Sequence, residues 1–276
     1  MQLSLSVRIA EEFLSKEQSR LSLDELIALA RDTGYDALCM RGSQVGVHSP
    51  VERQREVAAR VAGSGLAVTM VTGDFDMVYN NERGPLCLRA IEPYLDLATL
   101  LKAPLVRVAL KQQEDIGWAQ RAADAAAERG LTLVHQCHTL SLFETVEGIE
   151  RTLRAIDRPN FGLIYEPANL ELCGEDYGSA TLQRLAPWIV NVYLQNQRIR
   201  AGGDVTLDTW CRGPISFDLL PIHAPGGIDF DRVFDGLRSI GYEGPVTAHQ
   251  SGIPGIPLED TASGTARFLK GLMHAG

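Results

Sequence analysis

The chain has no hydrophobic run long enough to cross a membrane. None of its apolar stretches approaches the roughly 20 residues that a helix needs to span a bilayer. The first residues, MQLSLSVRIAEEF, carry neither the basic segment nor the long apolar core of a signal peptide. We therefore expect a cytoplasmic protein without a membrane partner.

Clustered positive charge is also missing. The 276 residues contain 26 Lys and Arg against 35 Asp and Glu, and the formal net charge is -9 at pH 7. Because affinity for a nucleic-acid backbone rests mainly on grouped Lys and Arg, we expect no nucleic-acid partner.

Cysteine is scarce and unpaired in pattern. The five residues form no CxxC motif and are odd in number, which is typical of a protein in a reducing compartment rather than of a disulfide scaffold. Cys137 lies between Gln136 and His138 and could line a site, but the sequence offers no clear base to activate it.

A glycine-rich phosphate turn is absent from the place where a dinucleotide-binding fold needs it. The first apolar run ends at Ile9 and is followed by AEEFLSKEQ, which contains no glycine. This absence disfavours a doubly wound nucleotide-binding fold, the main alternative for an alternating α/β chain.

The chain does contain eight short apolar runs separated by stretches of helical period. Four of those stretches, such as LDELIALARDTG and FDRVFDGLRSIG, end in glycine as helices often do. The predicted strands span residues 3–9, 36–41, 66–71, 104–110, 131–136, 161–166, 189–195 and 245–249.

Eight βα units in about 250 residues predict a closed parallel barrel. We expect one (β/α)8 TIM barrel over residues 1–276, with the possibility of self-association. Residues 197–227 show no clear periodicity, so we predict a long loop that follows the seventh strand and folds over the catalytic face.

Polar residues close several of the apolar runs. In such a barrel the active site lies at the carboxyl ends of the strands, so these residues are the candidates for chemistry. Glu166 ends FGLIY and would be nearly buried, which favours a metal ion or, alternatively, an Arg such as Arg107 as its partner. His249 ends PVTAH and is either a second ligand or a core histidine.

The remaining candidates have neutral or cationic side chains. Gln136 and Gln195 offer amide oxygens to a hard cation, and Gln195 is preferred over Tyr193 because it lies nearer the strand end. His138 and His249 are predicted to move protons. The predicted substrate-binding residues are Arg41, Lys111, Asn169, Tyr193, Asn196 and His223.

Several segments resemble the xylose isomerase-like TIM barrels, the superfamily of sugar phosphate isomerases and epimerases that also holds inosose dehydratases and apurinic endonucleases. The segments that carry the resemblance are GYDALCMRG, HQCHTLSLFETVEG, YEPANLELCGEDY, APWIVNVYLQNQ and GGIDFDRVFDGLRSIGYEGPVTAHQ. The resemblance covers nearly the whole chain and implies a carbohydrate substrate.

The resemblance also implies one divalent cation, held in the family by a glutamate, an aspartate, a histidine and a second glutamate. The matching positions here are Gln136, Glu166, Tyr193 and His249. We therefore expect a rebuilt set of Gln136, Glu166, Gln195 and His249. Mn²⁺ or Mg²⁺ is the first expectation for the ion, and Zn²⁺, Co²⁺ or Fe²⁺ are alternatives.

Three functions are compatible with this pattern. The first is a metal-dependent isomerase or epimerase that removes a proton next to the carbonyl of a sugar, inositol or keto-sugar. The second is a lyase or dehydratase that eliminates from an oxidised sugar or glycoside. The third is a barrel that binds sugar or a regulatory partner without catalysis.

Overall fold

A computed structural model describes residues 1–12 and 15–275 of the chain. The strands of this described part are β1 (Gln2–Ser6), β2 (Ala37–Arg41), β3 (Ala67–Thr72), β4 (Leu105–Arg107), β5 (Thr132–Gln136), β6 (Phe161–Tyr165), β7 (Ile189–Leu194), β8 (Asn196–Ile199), β9 (Val205–Thr209), β10 (Gly213–Leu220) and β11 (Pro245–Ala248). Short 3₁₀ helices cover Val7–Ala10 and Ala186–Trp188.

Helices alternate with the strands along the chain, as the helical-period stretches predict. They are α1 (Leu23–Asp32), α2 (Val51–Ser64), α3 (Phe75–Tyr79), α4 (Leu86–Arg89), α5 (Glu92–Leu101), α6 (Glu114–Ala127), α7 (Val146–Ile156), α8 (Pro167–Leu172), α9 (Ser179–Leu185), α10 (Phe230–Ser239) and α11 (Leu258–His274).

Eight parallel strands close into a barrel in the order β1-β11-β7-β6-β5-β4-β3-β2. This confirms the predicted (β/α)8 TIM barrel. The fourth strand is shorter than predicted and ends at Arg107, although Val108 still donates a 2.9 Å backbone hydrogen bond to Val134. In the part of the chain that the structure describes, no helix has the length and apolar character needed to cross a membrane.

The sequence predicts helix starts at Ser22 and Thr145 and predicts Pro50, after Ser49, as the first residue of another helix; side-chain hydrogen bonds confirm the first two. Ser22 and Glu25 form a reciprocal capping box at α1, and Thr145 accepts from Gly148 at α7. Pro50 departs from the prediction, because it is the extended N-cap of α2 rather than its first helical residue, and no side chain caps that helix.

The barrel interior has an apolar layer below its carboxyl end. It consists of Cys39, Met70, Leu105, Val134, Ile164 and Tyr193, one residue from each of six strands. Because strand side chains alternate between faces, the residues two positions further along also point inward. The next layer therefore comes from the strand ends, where polar side chains replace the apolar ones.

The predicted long loop of residues 197–227 contains regular structure. It overlaps a three-stranded antiparallel sheet in the order β8-β10-β9. The strands of this sheet are half exposed and cover no continuous core. The alternation of apolar and polar residues in their sequence is therefore too weak to predict them. The sheet reaches the carboxyl end of the barrel, where Leu207 and Asp208 line a cavity.

Candidate active site

A cavity of about 130 Å³ opens at the carboxyl end of the barrel strands. A cavity of about 150 Å³ admits benzene, so this volume suits one six-membered ring or a sugar of similar size. The lining residues are Arg8, Lys16, Arg41, Val78, Tyr79, Asn80, Arg107, Gln136, His138, Thr139, Leu140, Asn169, Gln195, Leu207, Asp208 and His249.

The walls of this cavity divide by chemistry. Arg8, Arg41 and Arg107, which we call the arginine arc, lie at the carboxyl ends of β1, β2 and β4. Gln136, Asn169 and Gln195, the amide arc, come from β5, from α8 directly after β6, and from the end of β7. Arg41 and Arg107 are the last residues of β2 and β4, and β3 between these strands contributes no arginine, whereas the amide arc comes from three neighbouring strands.

His249 lies where the two arcs meet, because β11 stands between β7 and β1. Its Nδ1 is 3.1 Å from the Ser6 hydroxyl, and its Nε2 is 3.5 Å from Nη1 of Arg41. The ring stacks on Tyr193 in the apolar layer below. A proton on Nδ1 would bond Ser6 and leave the Nε2 lone pair toward the cavity, where a base is needed.

His138 follows β5 and lies near the other boundary, beside β4. Its Nδ1 is 3.1 Å from Nδ2 of Asn80 and 2.9 Å from the Thr139 carbonyl. Asn80 Nδ2 also donates to that carbonyl at 2.9 Å. A hydrogen bond from Asn80 to Nδ1 would put the ring proton on Nε2, whereas a hydrogen bond from Nδ1 to the Thr139 carbonyl would put it on Nδ1.

Burial makes both imidazoles weakly basic. The pKa of His249 is held well below its ordinary value by burial first, and then by the charges of Arg8, Arg41 and Arg107. Burial followed by the charge of Arg107 has the same effect on the pKa of His138. Both rings are therefore neutral at neutral pH, and each has one nitrogen that accepts a proton.

Arg41 of the arginine arc forms a buried ion pair with Glu11. Its Nε donates to both carboxylate oxygens of Glu11, at 3.1 and 3.0 Å, and Nη2 lies 2.9 Å from Oε2. Ser43 donates to the same carboxylate at 2.6 Å. Glu11 raises the pKa of Arg41 against the opposing effect of burial.

Glu166 is fully buried behind the amide arc. Its Oε2 accepts from the Gln136 amide and, at 2.8 Å, from the Asn169 amide. Oε1 of Glu166 and Oε1 of Gln136 are buried without a hydrogen-bond partner. Burial raises the pKa of Glu166 to about 7, although the Gln136 amide and the nearby cations oppose the shift.

The cavity brings together seven of the predicted residues: Arg41, Gln136, His138, Asn169, Gln195 and His249 line it, and Glu166 lies directly behind. Four others lie outside the lining. Lys111 donates to Glu82 and to the Leu140 carbonyl, and exposed His223 lies against Gly264 of α11.

Tyr193 and Asn196 have structural partners instead. Tyr193 belongs to the apolar layer, and its hydroxyl is 3.2 Å from the Cys39 sulfur. Asn196 donates to the carbonyls of Pro221 and Ala224 and accepts from Ile228, so it holds the segment that leads to α10. Gln195, rather than Tyr193, is thus the residue of this strand that lines the cavity.

Sequence reasoning missed Arg8 and Lys16, and it named Arg107 only as an alternative partner of Glu166. Arg8 and Arg107 stand inside the apolar runs LSLSVRI and PLVRVAL, and a charged residue within a barrel strand is a signal that could have identified them. Lys16 carries no comparable signal, because it lies in a polar stretch between β1 and α1. Burial, followed by the charge of Arg8, lowers the pKa of Lys16 to about 6.

The predicted divalent cation does not fit the donor set that the structure forms. Gln136 directs its amide nitrogen, which is not a ligand, at Glu166. The orphaned oxygens of these two residues could face a cation, but the three guanidinium groups of the arginine arc already outnumber the carboxylates of Glu11 and Glu166. A further double positive charge would add repulsion where the family supplies three carboxylates.

A different group of potential ligands lies away from this cavity. Among the described residues, the carboxylate of Glu144 and the sulfurs of Cys173 and Cys211 are the one set of at least three acidic, His or Cys ligand atoms within 4.8 Å of one another. Both oxygens of Glu144 already accept backbone hydrogen bonds, from Leu140, Trp210 and Cys211. The group therefore has a structural role that needs no ion.

Comparison with known proteins agrees with the barrel fold. A model of the xylose isomerase-like TIM barrel family matches residues 27–272, so the chain belongs to that family. An inosose dehydratase of Geobacillus thermodenitrificans (strain NG80-2) is 30% identical over 125 residues. That match covers 45% of this chain and 42% of the relative, so it spans less than half of either protein.

Solved structures extend the likeness over the whole fold. A probable 3-DHS dehydratase of Bacillus anthracis superimposes with a TM-score of 0.72 at 15% identity, over 98% of this chain and 99% of that one. A D-allulose 3-epimerase of Methylomonas sp. superimposes with a TM-score of 0.69 at 16% identity, over 99% and 98%. At these identities the likeness concerns the fold alone.

Proposed function

We propose that this protein is an enzyme that removes a proton next to the carbonyl of a keto-sugar, keto-inositol or related keto-polyol. The observation that carries the proposal is the position of His138 and His249, two neutral imidazoles that line one sugar-sized cavity from the two boundaries between its arginine and amide arcs. Such a pair can take a proton at one position of a substrate and return it at another.

The hydrogen bonds of the two rings support different roles. His249 is the proton acceptor, since its contact with Ser6 leaves Nε2 as the lone-pair nitrogen. His138 is the proton donor in this proposal, which takes the tautomer in which Asn80 donates to Nδ1 and Nε2 carries the proton, rather than the one in which Nδ1 donates to the Thr139 carbonyl. Gln136, Asn169 and Gln195 provide amide groups for hydroxyls of the polyol.

Isomerisation or epimerisation is the first form of the reaction. The proton that His249 removes is replaced by one from His138, on the neighbouring oxygen or on the opposite face of the carbon. Arg41 Nη1, 3.5 Å from His249 Nε2, supplies a positive charge near the carbonyl oxygen that becomes negative. No divalent cation is part of this proposal, because the donor set does not favour one.

Dehydration is the second candidate, and the partial match to an inosose dehydratase favours it. Here His249 removes the same proton, but His138 protonates a departing hydroxyl group on the next carbon. The two forms share the enolising step and differ only in the destination of the second proton.

Solvent exchange tests the shared step. The protein is incubated in D₂O with a panel of keto-sugars and keto-inositols, and loss of the C–H signal is followed by NMR. We expect exchange that falls by about 100-fold or more in His249→Asn and His138→Asn, the usual scale of general acid–base catalysis. His274→Asn, which changes an exposed imidazole at the end of α11, is the matched control.

The products separate the candidates. An epimer or ketose–aldose pair identifies the isomerase, and an unsaturated ketone with loss of water identifies the dehydratase. Absence of exchange and of product across a panel whose members bind would contradict both, and would favour the sugar-binding barrel.

A further inference from the structure

The arginine arc brings three buried guanidinium groups to one side of the cavity. Arg8, Arg41 and Arg107 are only 6%, 1% and 3% exposed. Glu11 is fully engaged with Arg41 and Ser43, whereas Arg107 has no hydrogen-bond or ion-pair partner among the described residues. Burying a guanidinium without a partner costs free energy of folding. An anionic ligand bound beside Arg107 would offset that cost.

None of the other charged groups described in the cavity forms an ion pair with Arg107. Glu166 interacts with Arg8 and Arg107 through charge alone, and Gln136 and Asn169 bind one of its oxygens. Asp208 also lines the cavity, but it is an exposed residue of β9. Lys16 on the remaining wall is mostly uncharged at neutral pH, because burial lowers its pKa to about 6.

We infer that the arginine arc binds a carboxylate group of the substrate while the amide arc binds its hydroxyl groups. The inference rests on the proposed function, because it names the class of keto-polyol on which the enzyme acts. A planar guanidinium matches the two oxygens of a carboxylate, and amides suit hydroxyls, which both donate and accept.

This orientation places the reacting carbons between the imidazoles. His249 and His138 lie at the two boundaries between the arcs, so a ring with its carboxylate on one arc and its hydroxyls on the other passes between them. The cavity volume of about 130 Å³ restricts the ligand to one ring or a chain of similar size. The substrate class is therefore a small monocarboxylated keto-polyol.

Binding measurements test the inference without requiring turnover. Calorimetry compares matched probes that differ in the carboxylate: quinate against myo-inositol, and D-glucuronate against D-glucose, with inorganic phosphate as a separate anion. We expect each carboxylate to bind at least about tenfold more tightly than its neutral counterpart, as charge-assisted hydrogen bonds provide.

Two variants test whether Arg107 causes the preference for carboxylate probes. Arg107→Gln should abolish the tenfold preference, whereas Arg151→Gln, which changes an exposed guanidinium on α7, should retain it. The melting temperature of ligand-free Arg107→Gln should equal or exceed that of the wild type, because the substitution removes a buried charge that lacks a partner. That measurement also separates lost binding from lost folding.

Three results would overturn the inference: equal binding of charged and neutral probes, a preference that survives in Arg107→Gln, or binding of phosphate alone among the anions. Its failure is distinguishable from that of the proposed function. Proton exchange in neutral keto-sugars without a carboxylate preference would refute only the inference, and carboxylate binding without exchange in any keto acid would refute only the catalytic proposal.

Discussion

The ring of Tyr193 lies parallel to the imidazole of His249, with centroids 3.7 Å apart and 10° between the planes. Tyr193 occupies the position at which the resemblance implies a histidine ligand, yet here it is fully buried in the apolar layer. The tyrosine ring therefore packs beneath the imidazole and fixes the position of His249 in the cavity wall.

We expect Tyr193→Ala to lower the free energy of unfolding by about 3–5 kcal/mol, because it leaves a large cavity beneath His249. Proton exchange should fall as the imidazole loses its support. Tyr193→Phe is the control, since it keeps the ring and loses only the 3.2 Å contact with Cys39. Denaturant unfolding and NMR exchange measure the two effects, and an unchanged stability in the alanine variant would refute the packing role.

Glu166 should make the stability of the protein depend on pH. Its pKa rises from 4.5 toward about 7 on folding, chiefly through burial, so the folded state binds more protons than the unfolded state between these values. The wild type consequently loses stability as the pH rises through this window. Glu166→Gln is uncharged at every pH and avoids that loss.

We expect Glu166→Gln to be more stable than the wild type by up to roughly 3 kcal/mol above pH 7. The difference should disappear as the pH falls below 4.5, where the wild-type carboxyl is protonated in both states. Urea unfolding at a series of pH values provides the measurement, with exposed Glu147→Gln as the control. A difference that does not vary with pH would contradict this account.

Glu144 connects the three-stranded sheet to the barrel. Its carboxylate accepts from Leu140 at 2.6 Å, beside the cavity, and from Trp210 and Cys211 at 2.8 and 3.0 Å, in the turn between β9 and β10. One buried carboxylate thus holds both segments, and Arg212 and Gln197 add further hydrogen bonds from the sheet to α8.

Glu144→Gln should release that turn, because an amide has one acceptor oxygen and directs its own N–H groups at backbone donors. We expect a loss of about 1–3 kcal/mol and faster amide hydrogen exchange in residues 205–213, with the barrel strands unaffected. Exchange followed by mass spectrometry makes the comparison. Equal protection of the turn in the variant and in the wild type would refute the connection.

Divalent cations should have no effect on this protein, since they would enter a cavity in which guanidinium groups predominate. We expect Mg²⁺, Mn²⁺, Zn²⁺, Co²⁺ and Fe²⁺ to leave the melting temperature unchanged, and chelation to leave proton exchange unchanged. Metal analysis of purified protein accompanies both measurements. A stoichiometric ion whose removal lowers the melting temperature would restore the predicted ligand set of Gln136, Glu166, Gln195 and His249.

Local patterns were sufficient to predict the barrel strands and several helix ends. Apolar runs such as FGLIY mark strands buried on both faces, and Ser22 and Thr145 mark helix starts through hydrogen bonds within one turn. The three-stranded sheet was not predictable in this way. Its strands depend on pairing with one another and on the distant carboxylate of Glu144, which short-range periodicity does not report.

The sequence by itself determined that polar residues end the barrel strands, because strand alternation and the parallel arrangement together direct those residues to one face. It also determined that the family's carboxylate ligands are reduced to Glu166. Only the tertiary structure decided which partners these residues have. Closing the barrel brings Arg8, Arg41 and Arg107 from distant parts of the chain to one wall, and the net charge of a buried site depends on that convergence.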